Sequence, residues 1–276
     1  MGTDLLHSRF ERTKPAHRPT VRGTRAMVAS GHQLATLAAF RILERGGNAV
    51  DAGVAAGICL GVLHSDMVNF GGVAPILVHL AGTRRPKTVA GLGRWPLLAS
   101  VALFRERCQG EIPAGVLRTV VPAAPDAWIT ALRRFGTLAF EDVARDAIGL
   151  AREGFPMHAF MANNIREEEA AYRQWPGTAA VYLPGGQPPE VGQVFRQPAL
   201  ADTLERMVRA ERAHRFSGRE AALQAARDCF YQGELAEAML DFHRQHDGLL
   251  RREDLAGYRS PVEDAPSVPY KGLEVY

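Results

Sequence analysis

Apolar residues recur at helical spacing along most of the chain, and glycine- and proline-rich turns separate the periodic stretches. The pattern predicts a first helix over residues 32–45, with Ser30 as its cap and the pair Gly46 and Gly47 at its end. A second helix is expected after Asn48. It is apolar nearly all round, which predicts that it is buried. Further amphipathic helices are expected at 125–135, 140–153, 159–173, 197–212, 218–231 and 235–246.

Short apolar runs bounded by turn residues predict a few strands among these helices. They lie at 27–30, 73–80 and 88–92, with a hairpin tip at 84–87. The tail, residues 261–276, is also strand-like and has the pattern of a hairpin that enters a sheet. Residues 175–193 are rich in proline and glycine, which favours a surface loop.

Composition places the chain among ordinary soluble globular proteins. Its 276 residues are 46% hydrophobic and 23% charged, which excludes disorder, collagen and coiled coil as descriptions of the whole. The net charge of +3 is too small to indicate nucleic-acid binding. Residues 1–25 are basic and interrupted by Pro15 and Pro19, so we expect a flexible lead-in, followed by one domain over 26–276.

Neither export nor membrane insertion is predicted from the sequence. The opening residues lack an apolar core of signal-peptide length, and the longest weakly polar stretch, 50–63, is too short to span a bilayer. We therefore expect a cytoplasmic protein without membrane contacts. The odd count of three cysteines, Cys59, Cys108 and Cys229, favours reduced thiols over a disulfide framework.

Common catalytic motifs are missing from the sequence. It contains neither the nucleophile elbow G-x-S-x-G nor a phosphate-binding loop. His243 and His246 stand three residues apart beside Asp247 and could share a metal on one helix face. We expect no metal there, because no further ligand cluster accompanies them and the neighbouring Arg244 and Gln245 indicate a solvated helix end.

Two short segments are candidates for ligand binding. The first is the turn from Asn69 to Gly72, where the pair Gly71 and Gly72 would let the backbone approach a ligand closely; the residues by themselves favour a simple tight turn. The second is the run 91–96 (GLGRWP). A guanidinium fixed at Arg94 could hold a carboxylate in a bidentate pair, or it could stack on Trp95 with no ligand.

Several segments together resemble the γ-glutamyltranspeptidase family of N-terminal-nucleophile hydrolases. They are residues 26–30 (AMVAS), residues 42–52 (ILERGGNAVDA), the Gly71-Gly72 turn, and residues 247–250 (DGLL) followed by 253–255 (EDL) and Tyr258. The stretch GGNAVDA is the most specific of them.

The resemblance implies an α/β fold, helix-rich and forming an incomplete part of a four-layer αββα sandwich. It implies that residues 26–276 are the N-terminal portion of a large subunit and that the partner is a C-terminal small subunit from the same precursor. Family members cut themselves before a threonine, whose hydroxyl is the nucleophile and whose amine is the general base. The implied reaction is acyl transfer from an amide to water or an amine, without a cofactor.

The sequence departs from the family pattern in two ways. It lacks the threonine cleavage motif, and its last threonine, Thr203, lies in a helical pattern. We therefore expect no catalytic residue in this chain, which alone would be inactive. The second departure is in the run 91–96. The resemblance places there the arginine that binds the substrate carboxylate, but the acidic residues that accompany this arginine in the family are missing around Arg94.

The resemblance makes Arg94, Trp95, Asn69, Gly71 and Gly72 the candidate substrate-binding residues, for a small amide that bears a carboxylate. The missing acidic residues leave two activities open, a γ-glutamyl transferase and an amidohydrolase for a small acid amide such as oxamate. A third hypothesis is an inactive homologue that binds a ligand or partner.

Overall fold

The computed structural model describes residues 20–276, so most of the expected lead-in over 1–25 lies outside the described residues. The first helix of the described residues is α1 (Gln33–Glu44), and it ends before Gly46, whose φ of 89° suits glycine. The prediction that Ser30 caps this helix is wrong. His32 is the cap, since its Nδ1 accepts the N–H of Leu34 at 3.1 Å, while the Ser30 hydroxyl donates to the His32 carbonyl.

The strand expected at 27–30 is also wrong, because this segment is irregular and pairs with no strand among residues 20–276. A short apolar segment forms a strand only when a neighbouring strand accepts and donates its backbone hydrogen bonds, and this segment has no such neighbour among residues 20–276.

The second helix, α2 (Ala49–Leu63), begins where the glycine pair and Asn48 predict it. The Asn48 side chain accepts the N–H groups of Val50 and Asp51, and the Asp51 carboxylate accepts the N–H of Asn48 at 2.9 Å, which completes a capping box. The carboxylate is fully buried and also accepts the backbone N–H of Thr137 at 2.9 Å and its hydroxyl at 2.7 Å. The capping residues therefore fasten this helix to a distant turn.

Helix α2 is buried, as its apolar circumference predicts. The other helices in the described part of the chain are α3 (Val101–Cys108), α4 (Ala124–Phe135), α5 (Phe140–Glu153), α6 (Ala159–Glu167), α7 (Glu169–Arg173), α8 (Pro176–Tyr182), α9 (Pro198–Ala213), α10 (Arg219–Tyr231), α11 (Glu234–Gln245) and α12 (Arg252–Ala256). Single 3₁₀ turns occur at Val116–Arg118, Pro184–Gly186 and Arg215–Ser217. Helix α2 packs against α1, α4 and α5, and α9 packs against α5 and α10. Within residues 20–276, no helix is both long and apolar enough to cross a bilayer.

Two helix predictions need correction. The segment 159–173 forms two helices, α6 and α7, which meet at Glu168. The loop expected at 175–193 instead contains α8 and a 3₁₀ turn. Pro176 stands in the first turn of α8, where its fixed φ favours a helix and its missing N–H costs nothing. Leu183, just after the helix, is buried in the core.

The strands are short and all their pairings are antiparallel. They are β1 (Ile76–Val78), β2 (Lys87–Val89), β3 (Phe155–Pro156), β4 (Val194–Phe195), β5 (Val262–Asp264), β6 (Val268–Tyr270) and β7 (Leu273–Val275). Among the described residues, β1, β2 and β5 form one sheet in that order, while β3 pairs with β4 and β6 with β7. Strands β1 and β2 are shorter than the sequence predicts. The tail divides, because β5 enters the sheet and β6 and β7 form a separate exposed hairpin.

A buried ion pair anchors the segment that leads into β5. Asp126 on α4 and Arg227 on α10 are 0% and 1% exposed and bond to each other. Arg227 also donates to the carbonyl of Tyr258, and the N–H of Ser260 donates to Asp126 at 2.6 Å. Two helices and the segment 258–260 are therefore joined through one carboxylate and one guanidinium.

We predict that Arg227→Met destabilises the protein by about 3–5 kcal/mol, because it leaves the Asp126 carboxylate buried without a counter-ion. Chemical denaturation of the two proteins measures the difference. The double variant Asp126→Leu/Arg227→Met should be less destabilised than the single one, since no charge is then left unpaired.

The matched control is Arg252→Met, which removes the exposed pair between Arg252 and Glu237. Its denaturation midpoint should stay close to that of the unsubstituted protein. Equal midpoints for Arg227→Met and Arg252→Met would contradict the role assigned to the buried pair.

Candidate functional site

The two segments singled out in the sequence lie on either side of one backbone stretch, residues 121–124. The Gly72 carbonyl accepts the N–H groups of Ala123 and Ala124 at 2.8 and 2.9 Å, and the Arg94 carbonyl accepts the N–H of Val121 at 2.8 Å. The Asn69–Gly72 turn and the strand end, as we call the irregular residues 90–95 after β2, are therefore neighbours in the fold, although Gly72 and Arg94 are 22 residues apart in sequence.

Gly91 and Gly93 shape the strand end that carries Arg94. Their φ angles are 52° and 73°, which side-chain-bearing residues rarely adopt. A Cβ at Gly91 would lie 2.2 Å from the carbonyl oxygen of Ala74, and one at Gly93 would lie 2.7 Å from that of Val121. Glycine is therefore required at both positions, and the chain turns sharply on each side of Leu92 before it reaches Arg94.

The Arg94 side chain is exposed and keeps an available charge. Its Nη2 donates to the Gly257 carbonyl at 2.9 Å, and its guanidinium carbon lies 5.7 Å from the centre of the Tyr258 ring. Over residues 20–276, no carboxylate is in ion-pair distance of it. An exposed guanidinium without a counter-ion can bind a ligand carboxylate by donating hydrogen bonds to it.

Trp95 does not supply the surface on which Arg94 stacks. Its ring meets Phe104 of α3 edge to face, with the centroids 5.7 Å apart, and 42% of the residue is exposed. Trp95 follows Arg94 in the sequence and presents a partly exposed apolar surface. The aromatic ring that faces the Arg94 guanidinium is that of Tyr258.

Asn69 and Gly71 line a separate cavity of about 370 Å³, together with Ser65, Tyr182 and Arg196. Arg94 and Trp95 are not part of that lining. At Gly72, a Cβ would lie 3.1 Å from the carbonyl oxygen of Asn69, so the turn is tight there. Of the five predicted substrate residues, Asn69 and Gly71 thus line the cavity, Arg94 and Trp95 lie on the strand end, and Gly72 lies in the turn between them, bonded to residues 123 and 124.

Sequence reasoning missed the polar groups that other elements bring to this cavity. The Tyr182 hydroxyl donates to the Ser65 carbonyl at 3.2 Å, and burial raises the pKa of that phenol. The Ser65 hydroxyl is buried and has no hydrogen-bond partner in the part of the chain described. Since 117 residues separate Ser65 from Tyr182, no local pattern could have connected them.

Three histidines that sequence reasoning did not connect meet beside a second cavity, of about 640 Å³. The rings of His64 and His158 are 4.3 Å apart, and His32 lies 5.2 Å from His158. His158 has a structural role, because its Nε2 bonds to the carbonyl of Leu63 and its Nδ1 accepts the N–H of Met161. His32 caps α1. The contacts of His32 and His158 therefore fix helix starts.

The remaining candidates for chemistry are part of the packed structure. Burial raises the pKa of the Cys59 thiol to about 12, so the thiolate needed for nucleophilic attack is scarce at neutral pH. His243 is buried, which lowers its pKa, and His246 packs against Trp175. Across residues 20–276, no three histidine, cysteine or acidic side chains are arranged to hold a metal ion.

Comparisons with known proteins agree on one family. Residues 35–276 match the family model described as Gamma-glutamyltranspeptidase. The acylase ACY 1 proenzyme of Pseudomonas sp. (strain V22) is 33% identical over 92% of this chain and 44% of its own length. The glutathione hydrolase-like YwrD proenzyme of Bacillus subtilis (strain 168) is 28% identical over 93% of this chain and 46% of its own.

Solved structures agree with the sequence comparisons. The crystal structure of Helicobacter pylori gamma-glutamyltranspeptidase superposes with a TM-score of 0.81 at 26% identity, and the match covers 93% of this chain and 70% of that one. The helix-rich α/β fold implied by the resemblance is therefore confirmed. The chain spans about half the length of the curated relatives it matches. With the family model over most of its residues and a relative at 33% identity, this chain belongs to the gamma-glutamyltranspeptidase family.

Proposed function

We propose that this chain is the substrate-positioning part of a precursor that becomes an amide hydrolase or acyltransferase, with an N-terminal threonine outside this chain as the nucleophile. The observation that carries the proposal is Arg94, an exposed guanidinium without a carboxylate partner among residues 20–276, on a strand end that two obligatory glycines shape. The proenzyme names of the curated relatives support a processed precursor.

In the proposed reaction, the threonine hydroxyl attacks the amide carbonyl while its own amine accepts the hydroxyl proton. The C–N bond then breaks, the proton passes to the leaving amine, and an acyl-enzyme ester remains. Water or a second amine attacks this ester and releases the acyl group, which restores the threonine. The part of Arg94 is to hold a carboxylate of the acyl group, so that the carbonyl lies next to the nucleophile.

Asn69, Gly71 and Gly72 have a supporting part in this proposal. Gly72 is bonded to residues 123 and 124, and Val121 of the same backbone stretch is bonded to Arg94, so the turn adjoins the strand end although its cavity is a separate one. Trp95 would form an apolar wall beside the bound acyl group, because its ring is partly exposed and packs on Phe104.

A second candidate is an amidohydrolase for a small acid amide such as oxamate. Trp95 favours it, because an apolar ring follows Arg94 where the family pattern has acidic residues. An apolar neighbour offers no partner to the ammonium group of a γ-glutamyl substrate, whereas an acid amide without an amino group needs none.

The proposed partner is a C-terminal subunit from the same precursor. The exposed apolar side chains of the β6–β7 hairpin support it, since Val268, Tyr270 and Leu273 are 65%, 60% and 67% exposed. Clustered apolar exposure of this kind marks a surface that another chain covers.

Expression of the complete gene should give two polypeptides, and the smaller one should begin with threonine. Intact mass spectrometry under denaturing conditions, with N-terminal sequencing of the smaller species, measures this. A single species that ends near Tyr276 would instead support the inactive homologue that binds a ligand or partner.

In the processed protein, Arg94→Ala should raise KM for an amide that carries a carboxylate by an order of magnitude or more, with a smaller effect on kcat. Loss of one charge-assisted pair costs roughly 1.5–3 kcal/mol of binding. Steady-state kinetics with oxamate and with γ-glutamyl-4-nitroanilide measure the change and rank the two candidate substrates.

The control for this experiment is Arg84→Ala, which removes an exposed arginine from the loop before β2. Its KM should equal that of the unsubstituted protein. The same KM in the Arg94→Ala variant would remove Arg94 from the site.

A further inference from the structure

The guanidinium of Arg94 is held by residues from the C-terminal part of the chain rather than by its neighbours in sequence. The Gly257 carbonyl accepts its Nη2 at 2.9 Å, and the Tyr258 ring lies 5.7 Å below the guanidinium carbon. The Tyr258 hydroxyl also accepts the N–H of Gly93 at 3.2 Å. Tyr258 therefore contacts both the side chain of Arg94 and the backbone that precedes it.

Tyr258 is itself fixed by the buried network behind it. It is 3% exposed, and its ring stacks on that of Tyr231 with the planes 17° apart and the centroids 6.2 Å apart. Its carbonyl accepts hydrogen bonds from Arg227 and Arg259, and Arg227 is paired with Asp126. The ring is stacked on one face and bonded at its hydroxyl, and the backbone that carries it is bonded to two arginines, so another rotamer would break the ring contacts.

This arrangement selects the orientation of Arg94. The bond to Gly257 occupies Nη2, and within residues 20–276 the Nε and Nη1 groups donate to no other atom. A flexible arginine side chain loses conformational entropy when it binds a ligand, and this loss weakens binding. A side chain that is already oriented loses much less. The ring and the carbonyl together leave one part of the guanidinium free for a carboxylate.

We propose that Tyr258 is a positioning residue for Arg94, and that it sets how strongly the site prefers acyl groups that carry a carboxylate. This inference rests on the proposed function, in which Arg94 binds that carboxylate. Tyr258 touches neither the reacting atoms nor the substrate, and it acts through the orientation of the guanidinium.

Two matched amides isolate the carboxylate. They are 4-carboxybutanoyl-4-nitroanilide and butanoyl-4-nitroanilide, which share the scissile amide and differ only by the terminal carboxylate. The ratio of their kcat/KM values in the processed, full-length protein reports carboxylate preference. Butanoyl-4-nitroanilide also serves as an internal control for folding, because a damaged core lowers its turnover as well.

We expect Tyr258→Leu to lower this ratio by roughly tenfold, mainly through a higher KM for the carboxylated amide, with butanoyl-4-nitroanilide turned over as before. Tyr258→Phe keeps the ring under the guanidinium and should restore the ratio to within about threefold of the original value. The matched control is Phe230→Leu, a buried aromatic ring 5.0 Å from Tyr231 that does not contact Arg94, and its ratio should not change.

The outcomes separate the inference from the proposed function. If Arg94→Ala lowers the ratio and Tyr258→Leu does not, the positioning role is wrong and the proposed function stands. If Tyr258→Leu lowers the turnover of both amides equally, with a lower melting temperature, its role is only structural and the inference is also wrong. If the unsubstituted protein shows no preference, or Arg94→Ala leaves the preference intact, both proposals fail.

Discussion

The buried pair of Asp126 and Arg227 is the contact on which the arrangement of the candidate site depends. Asp126 accepts bonds from a helix 101 residues away and from Ser260, 134 residues away, so one carboxylate joins three parts of the chain. Burying two charges is expensive, and the cost is offset only when both are fully hydrogen-bonded. Here each charge has a second partner besides the other, which fixes where the segment 257–260 lies.

That segment then determines the state of Arg94. Gly257 and Tyr258 meet the guanidinium from a part of the chain 163 and 164 residues later than Arg94, while Gly91 and Gly93 admit the close backbone contacts that bring the strand end there. The position of Arg94 therefore depends on the buried Asp126–Arg227 pair, which fixes the segment 257–260, and on the two glycines that precede Arg94. Its exposed face stays free for a ligand.

The motif GGNAVDA shows what a family resemblance does and does not indicate. Its polar residues, Asn48 and Asp51, are committed to the start of α2 and to the turn at Thr137, so they organise the fold and do not contact the candidate site. A highly specific motif can therefore identify a family through a folding constraint. The residues proposed for substrate binding come from less distinctive segments.

Local interactions determined what the sequence alone could predict. The start of α2 at Asn48, its burial and the end of α1 at the glycine pair followed from capping and periodicity within a few residues. The strand at 27–30, the loop at 175–193 and the partner of Arg94 were mispredicted or left open, because they depend on what lies opposite in space. Only the tertiary structure showed that Asn69 and Gly71 line one cavity while Arg94 lies outside it. The reason is that cavities and ion pairs bring together side chains that are a hundred or more residues apart in the sequence.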